Sequence, residues 1–348
     1  MRPNVTAWIA RGLRAGAVAA LCAVMPPGEA NAQSSPPPNA FGFRWQEAVL
    51  RDHSLVGRLW SAETRSFADP STLGDLISGA DFLLLGEVHD NADAHSLQGI
   101  AIELKARSKP VPGVVFEHIR TDQQDALVRL DEFDRSARRL ATAHDLFRLL
   151  DWPNSGWPSE DKFLGLFNAV FNPRMPIYPA NPPRQQVRSV ARGEDGALAA
   201  PERARILMDA AWDKPLADAL YDELKGSHCG AMPASAVPAM SVAQRYRDAA
   251  FADAMLAAAA ANGSAVLAAG NGHVRTDRAV PWYLRARAPG KKIIAIMMLE
   301  VEDGKTDPAA YAPRDPDGKA AVDLIAFTPR AERPDPCEPL RQRNPPKQ

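Results

Sequence analysis

The sequence predicts an α/β fold: a mostly parallel sheet with helices on both faces and a partly helical insert. Several apolar segments lack the polar alternation of a half-exposed strand, and such continuous runs are typical of strands buried on both faces. Segments with helical periodicity separate them, and this alternation favours a parallel sheet. Residues 182–240 interrupt the alternation with helix-like stretches, PERARILMDAAW and PLADALYDELK, so we expect an insert or lid there.

The predicted strands follow from the apolar runs. In chain order they are 81–85, 113–116, 175–179, 264–270, 292–301 and 323–329, the last of these an edge strand. Residues 94–108 repeat apolar side chains at the spacing of one helix face, and residues 121–150 are long enough for two helices. The clearest helix is 241–263, with Ser241 expected as its N-cap and Gly263 as its C-cap.

The N-terminal residues have the pattern of an export signal. Three arginines and no acid precede an apolar run, AGAVAALCAVM, which is too short to span a bilayer. Ala30-Asn31-Ala32 then offers a small-x-small cleavage pattern, so residues 1–32 are predicted to be a signal peptide and Gln33 the mature N-terminus. An uncleaved anchor is the alternative. Cys22 lacks a lipobox, which favours an exported, periplasmic protein over a lipoprotein.

Domain organisation follows from composition. Residues 33–70 are predicted to be a linker and N-terminal segment, 71–300 the α/β domain, and 301–348 a C-terminal strand with a proline-rich tail. The formal net charge of -1 gives no reason to expect nucleic-acid binding. Once the leader is removed, Cys229 and Cys337 remain as a candidate disulfide in an oxidising compartment, with two free thiols as the alternative.

Glutamate and histidine follow the predicted strands at the point where each one ends. The clearest case is LLLGEVHDNADAHSLQ, and further polar residues follow the strands at 113–116, 175–179 and 264–270. Ligand sites in open α/β sheets form beyond the carboxyl ends of the strands, so we expect these side chains to converge. The set comprises Glu87, His89, Glu117, Asn181 and His273. A purely structural network of hydrogen-bonded loop caps is the alternative.

Carboxylate and imidazole together are typical ligands of zinc, manganese or iron. Glu87 and His89 are two residues apart, so on an extended strand both side chains leave the same face. We therefore predict a metal site formed by Glu87, His89, Glu117 and His273, with Glu87 and Glu117 as catalytic groups if the protein is a hydrolase. His118 is expected to be structural, because it points away from its neighbour Glu117.

Polar side chains also share a face of the predicted helix at 241–263. Gln244 and Asp248 lie on one stripe with Phe251 and Met255, so the polar pair is predicted either to face a site or to bond at the edge of the stripe. Tyr246 lies on the same helix. Arg275 follows the strand end at Gly270. These residues complete the set predicted to bind a ligand: Asn181, Gln244, Tyr246, Asp248 and Arg275.

The order of the motifs resembles that of the ChaN family of haem-binding uptake proteins. The blocks are LLLGEVHDNADAHSLQ, VVFEH, YPANPPR, SHCG, AQRYRDAAFADAM and AAGNGHVRTDRAVP, and the resemblance covers roughly residues 75–285. Gly86–His89 and Gly270–His273 both match the Gly-x-x-His element of the wider superfamily, which also includes the Tiki and TraB proteins and the erythromycin esterases.

The resemblance implies a ligand and a role. A ChaN-like protein would bind haem or an iron complex, take part in iron acquisition and serve an outer-membrane uptake system. Tyr178, Tyr221, Tyr246 and Tyr283 are available as axial ligands, and the sequence does not select one. The residues themselves favour a second hypothesis, a metal-dependent hydrolase or peptidase with a divalent ion such as Mn, Zn or Fe at the strand ends. Nothing in the sequence predicts an oligomeric state.

Overall fold

The computed structural model describes residues 41–136, 141–227, 233–335 and 337–338. Its strands are β1 (Leu59–Ser61), β2 (Ser66–Ala68), β3 (Phe82–Glu87), β4 (Gly113–Arg120), β5 (Ile177–Asn181), β6 (Ala265–Gly270), β7 (Ile293–Glu300) and β8 (Leu324–Thr328). They form one eight-stranded sheet in the order β2-β1-β8-β7-β3-β6-β4-β5. The six strands from β8 to β5 are mutually parallel, and β1 and β2 add antiparallel pairs at one edge.

Helices cover both faces of this sheet, as predicted. They are α1 (Leu73–Ser78), α2 (Ala92–Ala106), α3 (Gln124–Ser136), α4 (Ala143–Leu149), α5 (Glu160–Phe171), α6 (Arg184–Ala191), α7 (Ala200–Arg205), α8 (Lys214–Ser227), α9 (Val237–Asn262) and α10 (Ala279–Arg287). The predicted insert at 182–240 therefore contains α6, α7, α8 and the first residues of α9. The mostly parallel α/β fold with a partly helical insert is confirmed.

Alternate residues of each central strand enter two different cores. Leu83, Leu85 and Phe116 pack on one face with side chains of α2, α4 and α5, whereas Leu84 and Val115 pack on the other with α9 and α10. These strand side chains are fully buried. Burying one such leucine or phenylalanine is worth roughly 1.5–3 kcal/mol. The continuous apolar runs in the sequence reflect this burial on both faces.

Two local predictions were wrong. The strand at 323–329 is not an edge strand, because β1 pairs with the other side of β8 and β2 closes that edge of the sheet. Ser241 is not an N-cap: α9 begins four residues earlier, with Pro238 in its first turn, and the Ser241 hydroxyl donates to the Val237 carbonyl. Gly263 does cap the helix, with a left-handed φ of 82°.

Strand register sets the positions of the polar strand ends. Glu87 on β3 pairs with Gly270 on β6, and Phe116 on β4 pairs with Ala268 on β6. Two residues further along β4, His118 therefore comes beside Gly270. Glu87 and His118 face the same side of the sheet on either side of a glycine that has no side chain. Glu117 faces the opposite side.

Candidate functional site at the carboxyl ends of the strands

Glu87 is the buried centre of a cluster of three imidazoles, of which His95 and His118 are buried and His89 is partly exposed. Oε1 of the Glu87 carboxylate is 2.5 Å from Nδ1 of His89. Nε2 of His118 lies 3.4 Å from the same oxygen, and Nε2 of His95 lies 3.4 Å from Oε2. Three imidazoles around one carboxylate form a set of donor atoms suited to a divalent metal.

Packing holds two of these imidazoles in place. The His95 ring stacks on Phe163 at a centroid distance of 4.0 Å, and its Nδ1–H donates to the carbonyl of Lys162. His118 lies between Trp157 and Phe163, with centroid distances of 4.7 and 5.0 Å. The neighbours are thus aromatic rings that exclude water, and both histidines are fixed before any ligand arrives.

The cluster contains polar atoms that no protein group satisfies. With Nδ1–H of His95 committed to a carbonyl, its Nε2 presents a lone pair to Oε2 of Glu87. Both atoms are buried without a hydrogen bond, as are the two ring nitrogens of His118. Two facing acceptors repel unless a proton or a cation lies between them. Nitrogen and oxygen atoms of Glu87, His89 and His118 lie within 4.8 Å of one another, so these three residues can hold one ion.

Burial and mutual contacts shift the pKa values of the groups in this cluster. Burial alone would raise the pKa of the Glu87 carboxyl, but its contacts with the imidazoles of His118 and His89 hold that pKa well below its usual value. Burial opposes the charged form of His89, yet its bond to Glu87 raises the His89 pKa to about 9. The pKa of His118 is lowered because burial outweighs its attraction to Glu87. A neutral His118 imidazole is the form that binds metals.

A second cluster lies on the other face of the sheet. Nδ1 of His273 is 2.6 Å from Oδ1 of Asp248 on α9, and its Nε2 is 3.4 Å from Oε1 of Glu117. The backbone N–H of Gly270 donates to Glu117 at 2.8 Å. Although burial opposes it, the two carboxylates raise the His273 pKa to about 10. The same contacts hold the Glu117 pKa at about 2 against its burial. The imidazolium of His273 therefore lies between two carboxylates.

The two clusters meet at Gly270. A Cβ atom built on this glycine would lie 2.9 Å from Cε1 of His89 and 3.6 Å from Oε2 of Glu117. The absence of a side chain lets His89 cross the end of β6 towards the second cluster. The four residues predicted to converge, Glu87, His89, Glu117 and His273, thus do meet at one rim, as two pairs on opposite faces.

A cavity of about 310 Å³ opens over this junction. Its lining includes His89, Glu117, His118 and His273. Trp157 and three arginines, Arg120, Arg184 and Arg247, form much of the remaining wall. Histidines, carboxylates and guanidinium groups at one opening can bind an anionic or metal-associated ligand and move protons on it.

The residues predicted to bind a ligand divide into two groups. Asn181 and Gln244 line the cavity; Asn181 donates to the Glu117 carbonyl, and Gln244 lies 3.3 Å from Nδ1 of His273. Asp248 contacts Nδ1 of His273 but does not itself line the cavity. Tyr246 is buried against other elements, and Arg275 bonds to Asp277 and the carbonyl of Arg314, so neither lines the cavity.

Sequence reasoning missed His118 and the arginines. Glu117 and His118 do point to opposite faces, as expected, but it is His118 that shares a face with Glu87. The geometry groups Glu87 with His89 and His118, and pairs Glu117 with His273; the predicted four-ligand metal set stays a prediction. The position of Glu117 and His118 directly after the apolar run 113–116 was the sequence feature that pointed to both residues. Nothing in the sequence singled out Arg247 among the chain's many arginines.

Several predictions concern residues outside those described. The signal peptide at 1–32 and Cys229 belong to them, so the leader and the Cys229–Cys337 disulfide stay predictions. Within the described ranges, none of the helices combines the length and apolar character needed to cross a membrane. The sheet draws β1 and β2 from the predicted N-terminal segment and β8 from the C-terminal one.

Comparisons with known proteins show the fold and the family of the chain. ChaN of Campylobacter jejuni, solved with cofacial haem, has 19% identity and a TM-score of 0.58 over 77% of this chain and 95% of that one. An erythromycin esterase mutant in its open conformation has 12% identity and a TM-score of 0.45, over 80% and 98%. No protein of curated function matches. Residues 74–284 match the family described as "Haem-binding uptake, Tiki superfamily, ChaN", and the chain belongs to this family.

Proposed function

We propose that this chain is an exported haem-binding protein that acts in iron acquisition. The observation that carries the proposal is the family match over residues 74–284. The leader-like residues 1–32 support export to the periplasm, where a haem-binding protein would serve an outer-membrane uptake system.

The residues present fit a haem group in a groove at Tyr178. Haem requires an apolar slot and an axial ligand, which in some proteins is tyrosine. Two cavities, of about 500 and 360 Å³, both reach Tyr178 and Gln124. Apolar side chains of α3, α5 and β5 line the larger cavity, and Arg174 at the same wall carries a positive charge that suits a propionate. The Tyr178 hydroxyl accepts a hydrogen bond from Asn262 at 2.8 Å.

Tyr178 is a better axial candidate than the other tyrosines named from the sequence. Tyr283 is fully buried, and Tyr246, although it lines the smaller cavity, is only 2% exposed, so Tyr178 is the more accessible ligand. Tyr221 on α8 is partly exposed but lines none of the cavities described above. When bound, the haem iron would supply a Lewis-acidic centre, and Tyr178 would supply the anionic oxygen that holds it.

A hemin titration tests this proposal. Hemin added to the mature protein should give a saturable Soret shift and a tyrosinate-to-iron charge-transfer band. Tyr178→Phe should lose that band and weaken affinity at least tenfold, whereas Tyr221→Phe, which changes a tyrosine outside the groove, should match the wild type. No saturable shift in the wild type would end the haem proposal; equal behaviour of the two variants would end the assignment of Tyr178.

Export is tested separately. The full-length gene product expressed with a Gram-negative secretion pathway should yield a periplasmic protein that starts at Gln33, as measured by intact mass. A mass that retains residues 1–32, or one that carries acyl chains on Cys22, would contradict this part of the proposal.

A second function, a metal-dependent hydrolase or peptidase, is favoured by the unsatisfied atoms around Glu87. The facing acceptors of His95 and Glu87, together with the short distances among Glu87, His89 and His118, suit a divalent ion such as Zn, Mn or Fe. A bound ion would act as a Lewis acid on a substrate carbonyl. The second cluster would then offer Glu117 and His273 as the proton-transfer groups beside it.

Metal content tests this second function. Protein purified without chelator should contain close to one equivalent of metal by elemental analysis. His118→Ala should lose it, while His144→Ala, which removes an exposed histidine that belongs to neither cluster, should retain it. Retention of metal by His118→Ala in a folded protein would contradict the assignment.

A further inference from the structure

The Arg247 guanidinium lies at the edge of the cavity. It extends from α9, is more than half buried, and lines the cavity together with His273 and Glu117. Within the described part of the chain it makes no hydrogen bond and no ion pair. Its burial lowers the Arg247 pKa, which nearby Glu117 and Asp248 only partly offset. A guanidinium removed from water without a bonded counter-ion is costly and is commonly paired by a ligand.

The other two arginines of the cavity are already engaged. Arg184 donates to the carbonyl of Ser155, and Arg120 pairs with Asp122 at 2.9 Å. Among the three arginines of this cavity, Arg247 is therefore the one that has no hydrogen bond or ion pair to a described residue. One guanidinium matches the single charge and planar shape of a carboxylate, and the two groups can form a bidentate pair.

An apolar cavity adjoins the polar one at this residue. It has a volume of about 350 Å³, and Gln244 and Arg247 contribute to the walls of both. The remaining wall is formed by small or apolar side chains from α6, α8 and α9, namely Val187, Ala191, Leu224, Ala239, Met240 and Ala243. Arg188 and Arg192 at the same wall add positive charge.

We propose that these two cavities together bind an amphipathic monocarboxylate, with its carboxylate on Arg247 and its apolar body against α6 and α9. The apolar wall accounts for the hydrocarbon part of the ligand, and one guanidinium, that of Arg247, matches one carboxylate group. This binding site is separate from the Tyr178 groove and does not depend on haem binding.

Calorimetric titration with octanoate tests the proposal. The wild-type protein should bind octanoate in one saturable step and should bind octan-1-ol and inorganic phosphate at least tenfold more weakly. Arg247→Gln should weaken octanoate binding about 10- to 100-fold, the range expected for loss of a charge-assisted bidentate pair. Arg247→Lys should recover part of the affinity. Arg129→Gln, which removes an exposed arginine on α3, should match the wild type.

Filling the apolar cavity gives an independent readout. Ala243→Leu should block octanoate binding while leaving circular dichroism and thermal unfolding close to the wild type. Equal affinity for octanoate in Arg247→Gln and Arg129→Gln, or tighter binding of phosphate than octanoate, would overturn the proposal. A Soret titration on the same preparations reports haem binding separately, so loss of one property is distinguishable from loss of the other.

Discussion

Alanine substitutions at Gly270 and Gly86 should differ in effect. Gly270→Ala should change the pKa of His89 with little loss of stability, whereas Gly86→Ala should mainly lower the stability of the fold. A Cβ atom at Gly270 would meet the His89 imidazole, 2.9 Å from Cε1 and 3.2 Å from Nε2. A Cβ atom at Gly86, on the neighbouring strand, would meet Cγ2 of Val274 at 2.6 Å and the backbone Cα of Asn271 at 3.1 Å. The His89 side chain that an alanine at Gly270 would contact is 45% exposed. An alanine at Gly86 would instead contact the fully buried side chain of Val274 and the backbone of Asn271.

The expected loss of stability in each variant depends on whether the atoms that contact the new Cβ can move away. Gly86→Ala overpacks a rigid region and should lower the free energy of unfolding by roughly 1–3 kcal/mol. Gly270→Ala should cost less than about 1 kcal/mol, because His89 can rotate into solvent. That rotation breaks the 2.5 Å contact between His89 and Glu87. Without it, the His89 pKa should fall from about 9 towards its ordinary value of 6.5.

Two assays on chelator-treated protein measure these effects. Urea unfolding gives the stability of each variant, and an NMR titration of the His89 ring protons, assigned with His89→Gln, gives the pKa. An unchanged His89 pKa in Gly270→Ala would refute the claim that the bare end of β6 lets this imidazole reach Glu87. So would a loss of stability in Gly270→Ala equal to that in Gly86→Ala.

Two further predictions concern buried cations. The folded His273 pKa of about 10 exceeds the ordinary 6.5, so the stability from its charge is fully present below pH 6.5 and lost as pH rises through 10. Urea unfolding should therefore show the advantage of wild type over His273→Gln shrinking between pH 6 and pH 10; a constant difference would contradict the charged triad. Lys105 donates to the carbonyls of Ser78 and Ala80 at 2.8 and 2.7 Å, so Lys105→Met should cost roughly 2–4 kcal/mol in the same assay at pH 7. Lys109→Met, at an exposed position in the loop that follows α2, is the control, and equal stabilities would refute the role of Lys105.

The sequence was sufficient for the features that depend on local pattern. Apolar runs located the six parallel strands, and the two-residue spacing of Glu87 and His89 correctly placed both side chains on one face. Convergence at the carboxyl rim followed from the parallel arrangement alone. Pro238 was a signal for the earlier start of α9, since proline is favoured in the first turn of a helix.

The features that could not be predicted from the sequence depend on pairing between strands that are far apart in the chain. In the sheet, β6 lies between β3 and β4 although it comes more than a hundred residues later in the chain, so only the strand register shows that His118 shares a face with Glu87. The alternation of Glu117 and His118 was read correctly, but which of the two faces Glu87 depends on that register. That Arg247 lacks a partner among the described residues likewise depends on which arginines find partners after folding, which no spacing rule encodes.

Anomalous diffraction at the zinc edge, from crystals of the protein grown with zinc, tests the two-cluster arrangement most directly. The account predicts one strong peak within bonding distance of Glu87, His89 and His118, and none between Glu117 and His273. A peak coordinated by Glu117 and His273, with the imidazole of His118 turned away, would contradict it.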